Sequence, residues 1–388
     1  MRRKVLLIAA PALAALVLSA VFAGILSHPD RNIAPVRPLA LEAAGSVRAT
    51  LVATDTAWRP LPLATTGRAL PGPHDSLVQE WPAFHVEAQF RGTALRVRFE
   101  DASNRWRVTL DRGDLGRVLL SEPGSRDLLI QGLPPGAHEV RVEKISESSM
   151  PTRFGGIFVA EAQDALPAPA PAPRLIEFIG DSDTVGFANG ASRRDCTEAE
   201  VYASTDTSQS FGPQAARRLG ADYRMVARSG IGLLRNYGGA TPDATMPWRY
   251  GLALPSEPAR GQDVRPPADV VVTALGSNDF GSDLTESEPW KNHEALSRDF
   301  ASKLIEFLQA RVAENPGALQ VLLAFGEYGD ALVLPYQAAE AHLRAEHVPV
   351  ILVVLPKLER RACFWHPSAK DHQMIAETLV KAIEGSGS

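Results

Sequence analysis

A run of alternating proline and alanine near the middle of the chain limits what this sequence can fold into. Residues 166–174 read LPAPAPAPR. Proline lacks an amide hydrogen and forces extended geometry on the residue before it, so this run cannot lie inside a helix or a sheet. We therefore predict a stiff linker at residues 164–174. A length of 388 residues suits two domains, one on each side of the linker.

Before the linker, residues 42–163 are predicted to form an all-β domain. Short segments alternate polar and apolar residues, and turn sequences such as Pro134-Pro135-Gly136 separate them. The segments are 85–90, 95–99, 106–110, 118–120, 127–130 and 138–142. Alternation with a period of two, interrupted by regularly spaced turns, predicts a β-sandwich or jelly roll. Trp58, Trp81 and Trp106 are expected to pack in its core or rim.

After the linker, residues 175–388 alternate apolar strands with helices. Strands are predicted at 175–179, 223–226, 269–275, 319–325 and 348–354, and helices at 210–219, 293–313 and 370–383. This order indicates an α/β domain with a parallel sheet and helices on both faces. Functional side chains are expected just beyond the carboxyl ends of the strands.

The beginning of the chain, residues 1–27, has the pattern of a secretory signal or an uncleaved membrane anchor. Met1-Arg2-Arg3-Lys4 is basic, and Val5 to Ile25 is apolar and long enough to span a bilayer. Val21-Phe22-Ala23 would also suit cleavage, so both alternatives stay open. Basic residues before such a run predict that the rest of the chain is exported, to the periplasm or the extracellular space. Residues 28–41 are expected to form a tether.

Four sequence motifs come after successive predicted strands or precede the last helix. Ser182 in Gly180-Asp181-Ser182 lies in a strand-to-helix turn that can present a nucleophilic hydroxyl. The loop at Gly230 can offer an unobstructed backbone N–H, and Asn278 offers a neutral amide donor to an oxyanion. His366 can act as a general base. Each motif alone is an ordinary turn or helix cap, but together they supply a nucleophile, oxyanion donors and a base.

With these four blocks, the second half of the chain resembles the SGNH or GDSL hydrolase family. The resemblance implies a three-layer, flavodoxin-like parallel-sheet domain and an esterase activity. It implies that Ser182 is the nucleophile and His366 the base. The backbone N–H groups of Ser182 and Gly230, with the Asn278 amide, would form the oxyanion hole.

The first domain extends the resemblance to carbohydrate esterase family 2, in which a jelly roll precedes an SGNH domain. Glu80-Trp81-Pro82, Phe90-Arg91-Gly92-Thr93 and Trp365-His366-Pro367 resemble that family. The resemblance implies removal of acetyl groups from an acetylated polysaccharide or oligosaccharide, as in acetyl xylan esterases. Trp365, Tyr237 and Trp290 are expected to line the sugar cleft.

One position departs from the pattern of the SGNH family. Many members have Asp three residues before the histidine, where this chain has Cys363. A Ser182–His366 dyad is therefore expected, with a backbone carbonyl, that of Trp365, holding the imidazole; an acid from elsewhere stays open. Asp183 also stands where the family more often has an aliphatic residue. Two rival functions remain: a non-catalytic carbohydrate-binding protein with a decayed site, and a lipase or thioesterase on the same fold.

The two cysteines, Cys196 and Cys363, are too few for a cysteine-rich zinc module. In an exported chain they can form a disulfide, and we predict this bridge because both lie near candidate catalytic residues; two free buried thiols are the alternative.

Composition and motifs also bear on partners. A net charge of −5 excludes a globally basic nucleic-acid binder. The nine histidines form no metal-ligand pair of the HExxH type, and no nucleotide-binding motif appears, so neither a metal nor a cofactor is predicted. Contact with a membrane is expected only through the N-terminal segment.

Overall fold

The computed structural model describes residues 39–43, 45–261 and 266–387. The segment predicted as a signal or anchor, residues 1–27, lies outside them. Within the described residues, none of the helices combines the length and the apolar character that a bilayer span requires.

The first half of the chain forms a β-sandwich of two antiparallel sheets, which confirms the predicted fold class. In spatial order, one sheet contains β1 (Leu39–Ala43), β10 (Gly116–Ser121), β9 (Arg105–Leu110), β12 (Ala137–Lys144), β7 (His85–Arg91) and β4 (Ala64–Thr66). The other contains β2 (Arg48–Val52), β11 (Gly124–Gln131), β8 (Ala94–Asp101), β13 (Thr152–Val159), β6 (Leu77–Gln79) and β5 (Ala69–Pro71), with β3 (Arg59–Pro60) paired to β13.

The sandwich core comes from the alternation seen in the sequence. In β8 and β9 every second residue is buried, because successive side chains point to opposite faces of a strand. Phe84, Phe99, Trp106 and Phe154 form a contacting aromatic cluster between the sheets. β1 begins at Leu39, inside the segment expected to be a tether. Residues 166–174 contain neither helix nor strand.

The second half of the chain is an α/β fold with a five-stranded parallel sheet. Its spatial order is β15 (Asp222–Ala227), β14 (Leu175–Gly180), β16 (Val270–Ala274), β17 (Leu319–Phe325) and β18 (Val350–Leu355). The described helices are α1 (Ser182–Val185), α2 (Glu198–Ser204), α3 (Phe211–Arg218), α4 (Met246–Arg249), α5 (Ser277–Phe280), α6 (His293–Glu314), α7 (Asp330–Ala345) and α8 (Ala369–Gly385). The first strand, β14, lies between the second and the third, so a crevice opens beyond its carboxyl end.

The helix α7, which connects β17 to β18, was not predicted from the sequence. Pro335 lies inside this helix and lacks the amide that would bond to the carbonyl of Ala331. The Ser297 hydroxyl of the neighbouring α6 donates to that carbonyl instead, at 2.7 Å. A tertiary contact thus compensates for a residue that, in the sequence alone, argues against a helix.

The two halves share a polar and aromatic interface. Trp81 of the sandwich is buried within the apolar core of the α/β half, and its indole N–H donates to the Leu252 carbonyl at 3.0 Å. The sandwich also contacts the edge strand β15: Asp222 accepts from the Thr66 hydroxyl at 2.6 Å and bonds His85 at 2.9 Å, and the Tyr223 hydroxyl donates to Glu143. The sandwich therefore covers this sheet edge.

Trp81→Ala is expected to lower the free energy of unfolding by about 3–5 kcal/mol, because it leaves a cavity at the interface and removes the indole hydrogen bond to the Leu252 carbonyl. Trp58→Ala is the matched control: Trp58 is half-buried beneath the Arg96 guanidinium, so its loss should cost about 1 kcal/mol. Chemical denaturation of both variants measures the difference, and equal losses would contradict the burial of Trp81 in the interface.

Candidate active site

The nucleophile motif forms a tight turn between β14 and α1. A Cβ at Gly180 would lie 1.9 Å from the Thr184 hydroxyl, so only glycine fits there. Asp181 caps α1 by accepting from the Asp183 N–H at 3.0 Å. The turn places Ser182, which is 7% exposed, at the carboxyl end of the first strand.

Ser182 and His366 are brought together although 184 residues separate them in the chain. The distance between Ser182 Oγ and His366 Nε2 is 3.0 Å. His366 Nδ1 lies 2.9 Å from the Cys363 carbonyl. Because a carbonyl only accepts hydrogen bonds, Nδ1 carries the proton in the neutral ring and Nε2 is left to accept from the serine.

The expectation that the Trp365 carbonyl holds the imidazole is wrong. Phe364 and Trp365 have left-handed backbones, with φ of +52° and +64°, which turn the chain back on itself. The Cys363 carbonyl therefore faces Nδ1 of the ring and also accepts the His366 backbone N–H at 3.1 Å. The Trp365 carbonyl instead lies 3.3 Å from the Arg360 guanidinium.

A disulfide between Cys196 and Cys363 holds the segment before His366, which confirms the predicted pairing. Two contacts from Arg194 support the same segment: its carbonyl accepts the Phe364 N–H at 2.8 Å, and its guanidinium donates to the Arg360 carbonyl at 2.8 Å. The loop after the nucleophile motif thus anchors the carbonyl that orients the imidazole.

Hydrogen bonds join the other two blocks to the nucleophile turn. The Arg228 N–H donates to the Gly180 carbonyl at 3.3 Å, and the Ser277 hydroxyl donates to Asp181. The Asn278 amide donates to the Ile231 carbonyl at 2.8 Å, which links it to the Gly230 loop. Since an amide has two hydrogens, this contact leaves one for a ligand.

Asp279 fixes the backbone just after Gly230. Its buried carboxylate accepts from the N–H groups of Leu233, Leu234 and Arg235 at 2.8–3.0 Å. Burial raises the pKa of Asp279 to about 6, against the lowering effect of these donors. Gly230 itself has a φ of +79°, and no atom lies within 4 Å of where a Cβ would be, so its backbone is open on that side.

A buried ion pair lies behind the dyad. Asp183 is 2% exposed and bonds the Arg360 guanidinium through both oxygens, at 2.7 and 3.0 Å. Burial lowers the pKa of His366, whereas the Asp183 charge and the Cys363 carbonyl oppose that lowering. Burial and repulsion from Asp183 raise the pKa of Asp181. The sequence marked Asp183 as unusual, but its partner Arg360, in a distant loop, gave no signal.

Four aromatic side chains on this side of the α/β half differ in their exposure and in the groups that they contact. Trp365 is 61% exposed with the Arg194 guanidinium over its ring, and Tyr237 is 57% exposed with its N–H on the Gly230 carbonyl. Trp290 is half-buried and donates to Asp299, and within the described residues no hydrogen bond or ring contact joins it to the dyad. Phe187, which was not predicted as a site residue, lies against the His366 ring at 4.4 Å between centroids.

A cavity of about 460 Å³ lies between the two halves of the chain and is lined by Phe187, which packs against the His366 ring. Its walls include residues 146–149 of the sandwich, with Phe187, Ser229 and Phe364 of the α/β half. No sequence pattern connects residues 146–149 to the site, because only the packing of the two halves brings them there. In the described part of the chain, no group of three or more His, Cys, Asp or Glu side chains could hold a metal ion.

Comparison with known proteins agrees with this architecture. The profile of the family Carbohydrate esterase 2 N-terminal matches residues 65–169. An acetylxylan esterase / glucomannan deacetylase from Cellvibrio japonicus is 34% identical over 86% of this chain and 94% of its own length.

Solved structures of carbohydrate esterases are also similar. One, from a study of divergent catalytic and non-catalytic binding functions of a carbohydrate esterase active site, has a TM-score of 0.77 at 32% identity, over 84% of this chain and 98% of that one. A family two carbohydrate esterase from Clostridium thermocellum in complex with cellohexaose has a TM-score of 0.71 at 26% identity, over 84% and 99%. The chain belongs to carbohydrate esterase family 2 and is a carboxylic ester hydrolase.

Proposed function

We propose that this protein removes acetyl groups from a polysaccharide through a Ser182–His366 dyad and an acyl-enzyme intermediate. The observation that carries the proposal is the chain of contacts from Ser182 Oγ to His366 Nε2, at 3.0 Å, and from His366 Nδ1 to the Cys363 carbonyl, at 2.9 Å. In this arrangement a neutral imidazole can take the proton of the serine hydroxyl.

The reaction then proceeds in two halves. Ser182 Oγ attacks the acetyl carbonyl while His366 Nε2 takes the hydroxyl proton, and the resulting oxyanion is held by the N–H groups of Ser182 and Gly230 and by the Asn278 amide. Collapse of this intermediate breaks the bond from the acetyl carbon to the sugar oxygen, and that oxygen takes the proton from the imidazolium and leaves as a hydroxyl. Water, activated by His366, attacks the acetyl-serine and releases acetate. The Cys363 carbonyl takes the place of the usual acid, since it keeps the ring oriented and its negative end faces the imidazolium.

Two kinds of observation support an acetylated glycan as the substrate. Similar proteins act on acetylated xylan or glucomannan, or bind cellohexaose, according to their names. In addition, aromatic rings are exposed at Trp365, the residue before His366, and at Tyr237, whose N–H bonds the Gly230 carbonyl, and such rings suit the apolar face of a sugar. We also propose that the protein is exported, because its disulfide suits an oxidising compartment.

Ser182→Ala is expected to abolish acetate release from acetylated xylan and glucomannan, because no other hydroxyl is placed against His366 Nε2 in the described residues. Ser302→Ala, on the exposed side of α6, is the control and should retain wild-type turnover. Acetate is measured enzymatically on both glycans and on 4-nitrophenyl acetate and palmitate. Glycan binding by the wild type without any turnover would favour the non-catalytic alternative, and preference for the palmitate ester would favour a lipase.

The pH dependence of kcat/KM reports the state of His366. Because the base must be neutral and burial lowers its pKa, kcat/KM should rise with pH through a pKa below the ordinary 6.5. Asp183→Asn removes a charge that favours the imidazolium, so the acid limb should shift to still lower pH. Glu294→Gln, at a carboxylate 82% exposed on α6, should leave the limb in place. A shift of the Asp183→Asn limb to higher pH would refute the assignment.

Removal of the disulfide should weaken both stability and turnover. Cys196→Ser with Cys363→Ser is expected to cost about 2–5 kcal/mol in the free energy of unfolding. It should lower kcat by less than about 10²-fold, the effect of a 1 Å misplacement, because the Arg194 contacts still hold the Cys363 segment. Kinetics far below the melting temperature separate the two effects. Thiol labelling of the denatured, unreduced wild type should find no free cysteine.

A further inference from the structure

We propose that Glu147, on the β-sandwich, is a positioning residue for the oxyanion hole of the α/β half, so that turnover depends on a contact between the two domains. The inference rests on the proposed function, because it takes Gly230 as an oxyanion donor. It concerns the oxyanion loop, defined as residues 228–233, which begins directly after the edge strand β15.

Both oxygens of the Glu147 carboxylate bind the residue directly before Gly230. The backbone N–H of Ser229 donates to Oε1 at 2.7 Å, and the Ser229 hydroxyl donates to Oε2 at 2.6 Å. Hydrogen bonds to an ionised carboxylate are stronger than those between neutral groups. This pair of contacts therefore fixes the backbone and the side chain of Ser229 together.

The residues on either side of Glu147 are anchored in the sandwich by hydrogen bonds. It lies between two buried serines in the connection from β12 to β13. The Ser146 hydroxyl donates to Asn104 at 2.9 Å, and the Ser148 hydroxyl donates to the Glu80 carbonyl at 2.9 Å. The segment that carries Glu147 is thus anchored in the sandwich on both sides of this residue, independently of the loop that its carboxylate binds.

A second contact of the same kind lies one residue earlier in the oxyanion loop. The Arg228 guanidinium pairs with Glu80 of the sandwich at 3.1 Å, and the Glu80 carboxylate is fully buried. Two successive residues of the loop are therefore bound by two carboxylates of the other domain. This convergence on the segment before Gly230 is what distinguishes the contact from a general interface bond.

The loop needs this support because of Gly230. A glycine at φ +79° has no side chain to restrict it, and here no atom lies near the position of a Cβ. After Gly230, Asn278 and Asp279 hold the backbone through Ile231 and residues 233–235. Before Gly230, the Glu147 contact supplies the corresponding restraint, so the direction of the Gly230 N–H is fixed from both sides.

The test compares Glu147→Ala with Asp222→Ala. Asp222 lies at the other end of β15 and also accepts two hydrogen bonds from the sandwich, at 2.6 and 2.9 Å, so it is a matched interdomain contact. On 4-nitrophenyl acetate, Glu147→Ala should lower kcat at least about tenfold, but by less than the ~10²–10³-fold that follows the loss of an oxyanion donor. KM should stay within about twofold of the wild-type value. Asp222→Ala should keep kcat within about threefold. Glu147→Gln, which can bond both Ser229 groups without a charge, should recover most of the loss.

Hydrogen exchange of the peptide that covers the oxyanion loop provides a readout independent of turnover. Exchange there should become faster in Glu147→Ala and not in Asp222→Ala, with melting temperatures confirming that both variants are folded. Unchanged kcat or unchanged exchange in Glu147→Ala, or an equal loss of kcat in Asp222→Ala, would overturn the proposal. If Glu147→Ala does not fold, Ser229→Ala, which removes the 2.6 Å contact alone, should show the same changes on a smaller scale. A wild type that hydrolyses no ester would instead refute the proposed function, and exchange alone would then decide whether Glu147 orders the loop.

Discussion

The hydrogen bond from His366 Nδ1 to the Cys363 carbonyl is the contact on which the candidate site depends. A carbonyl is a weaker partner than a carboxylate and carries no net charge, so its position has to be fixed by its surroundings. Three features fix it: the left-handed turn at Phe364 and Trp365, the disulfide to Cys196, and the Arg194 contacts. The cysteine that replaces the usual acid thus serves the site through its backbone and its sulfur together.

Neighbouring charges partly replace the electrostatic effect that the absent acid has on the imidazolium. Asp183 and Glu147 both oppose the lowering of the His366 pKa that burial causes. Neither carboxylate contacts Nδ1, because Asp183 pairs with the Arg360 guanidinium and Glu147 accepts hydrogen bonds from Ser229. Because neither carboxylate is hydrogen-bonded to Nδ1, these two charges do not orient the ring, but they stabilise an imidazolium in a buried site. Orientation and charge stabilisation, which one aspartate supplies in a triad, are here divided between different groups.

Much of the fold could be predicted from the sequence because its physical signals are local. Alternating polarity marked the sandwich strands, and continuous apolar runs marked buried parallel strands such as β17, whose predicted bounds agree with the structure. The helix α7 was not predicted because Pro335 argues against a helix, and the Ser297 hydroxyl that bonds the carbonyl left free by this proline lies on another helix. For the site, order along successive strand ends was enough to select Ser182, Gly230, Asn278 and His366, and the structure links these blocks by hydrogen bonds.

Contacts made between distant segments could not be predicted from the sequence. His366 Nδ1 bonds the Cys363 carbonyl and not that of Trp365 because Phe364 and Trp365 have positive φ angles. These angles could not be predicted from the residue types, since Phe and Trp rarely adopt positive φ. The pairing of Arg360 with Asp183 spans 177 residues, and the contact of Glu147 with Ser229 crosses the domain boundary. The packing of the sandwich on the α/β half is also a contact between distant segments. The sandwich covers the edge strand β15, and β15 leads directly into the oxyanion loop. A domain that closes a sheet edge is therefore also placed to set the geometry of the loop that begins at that edge.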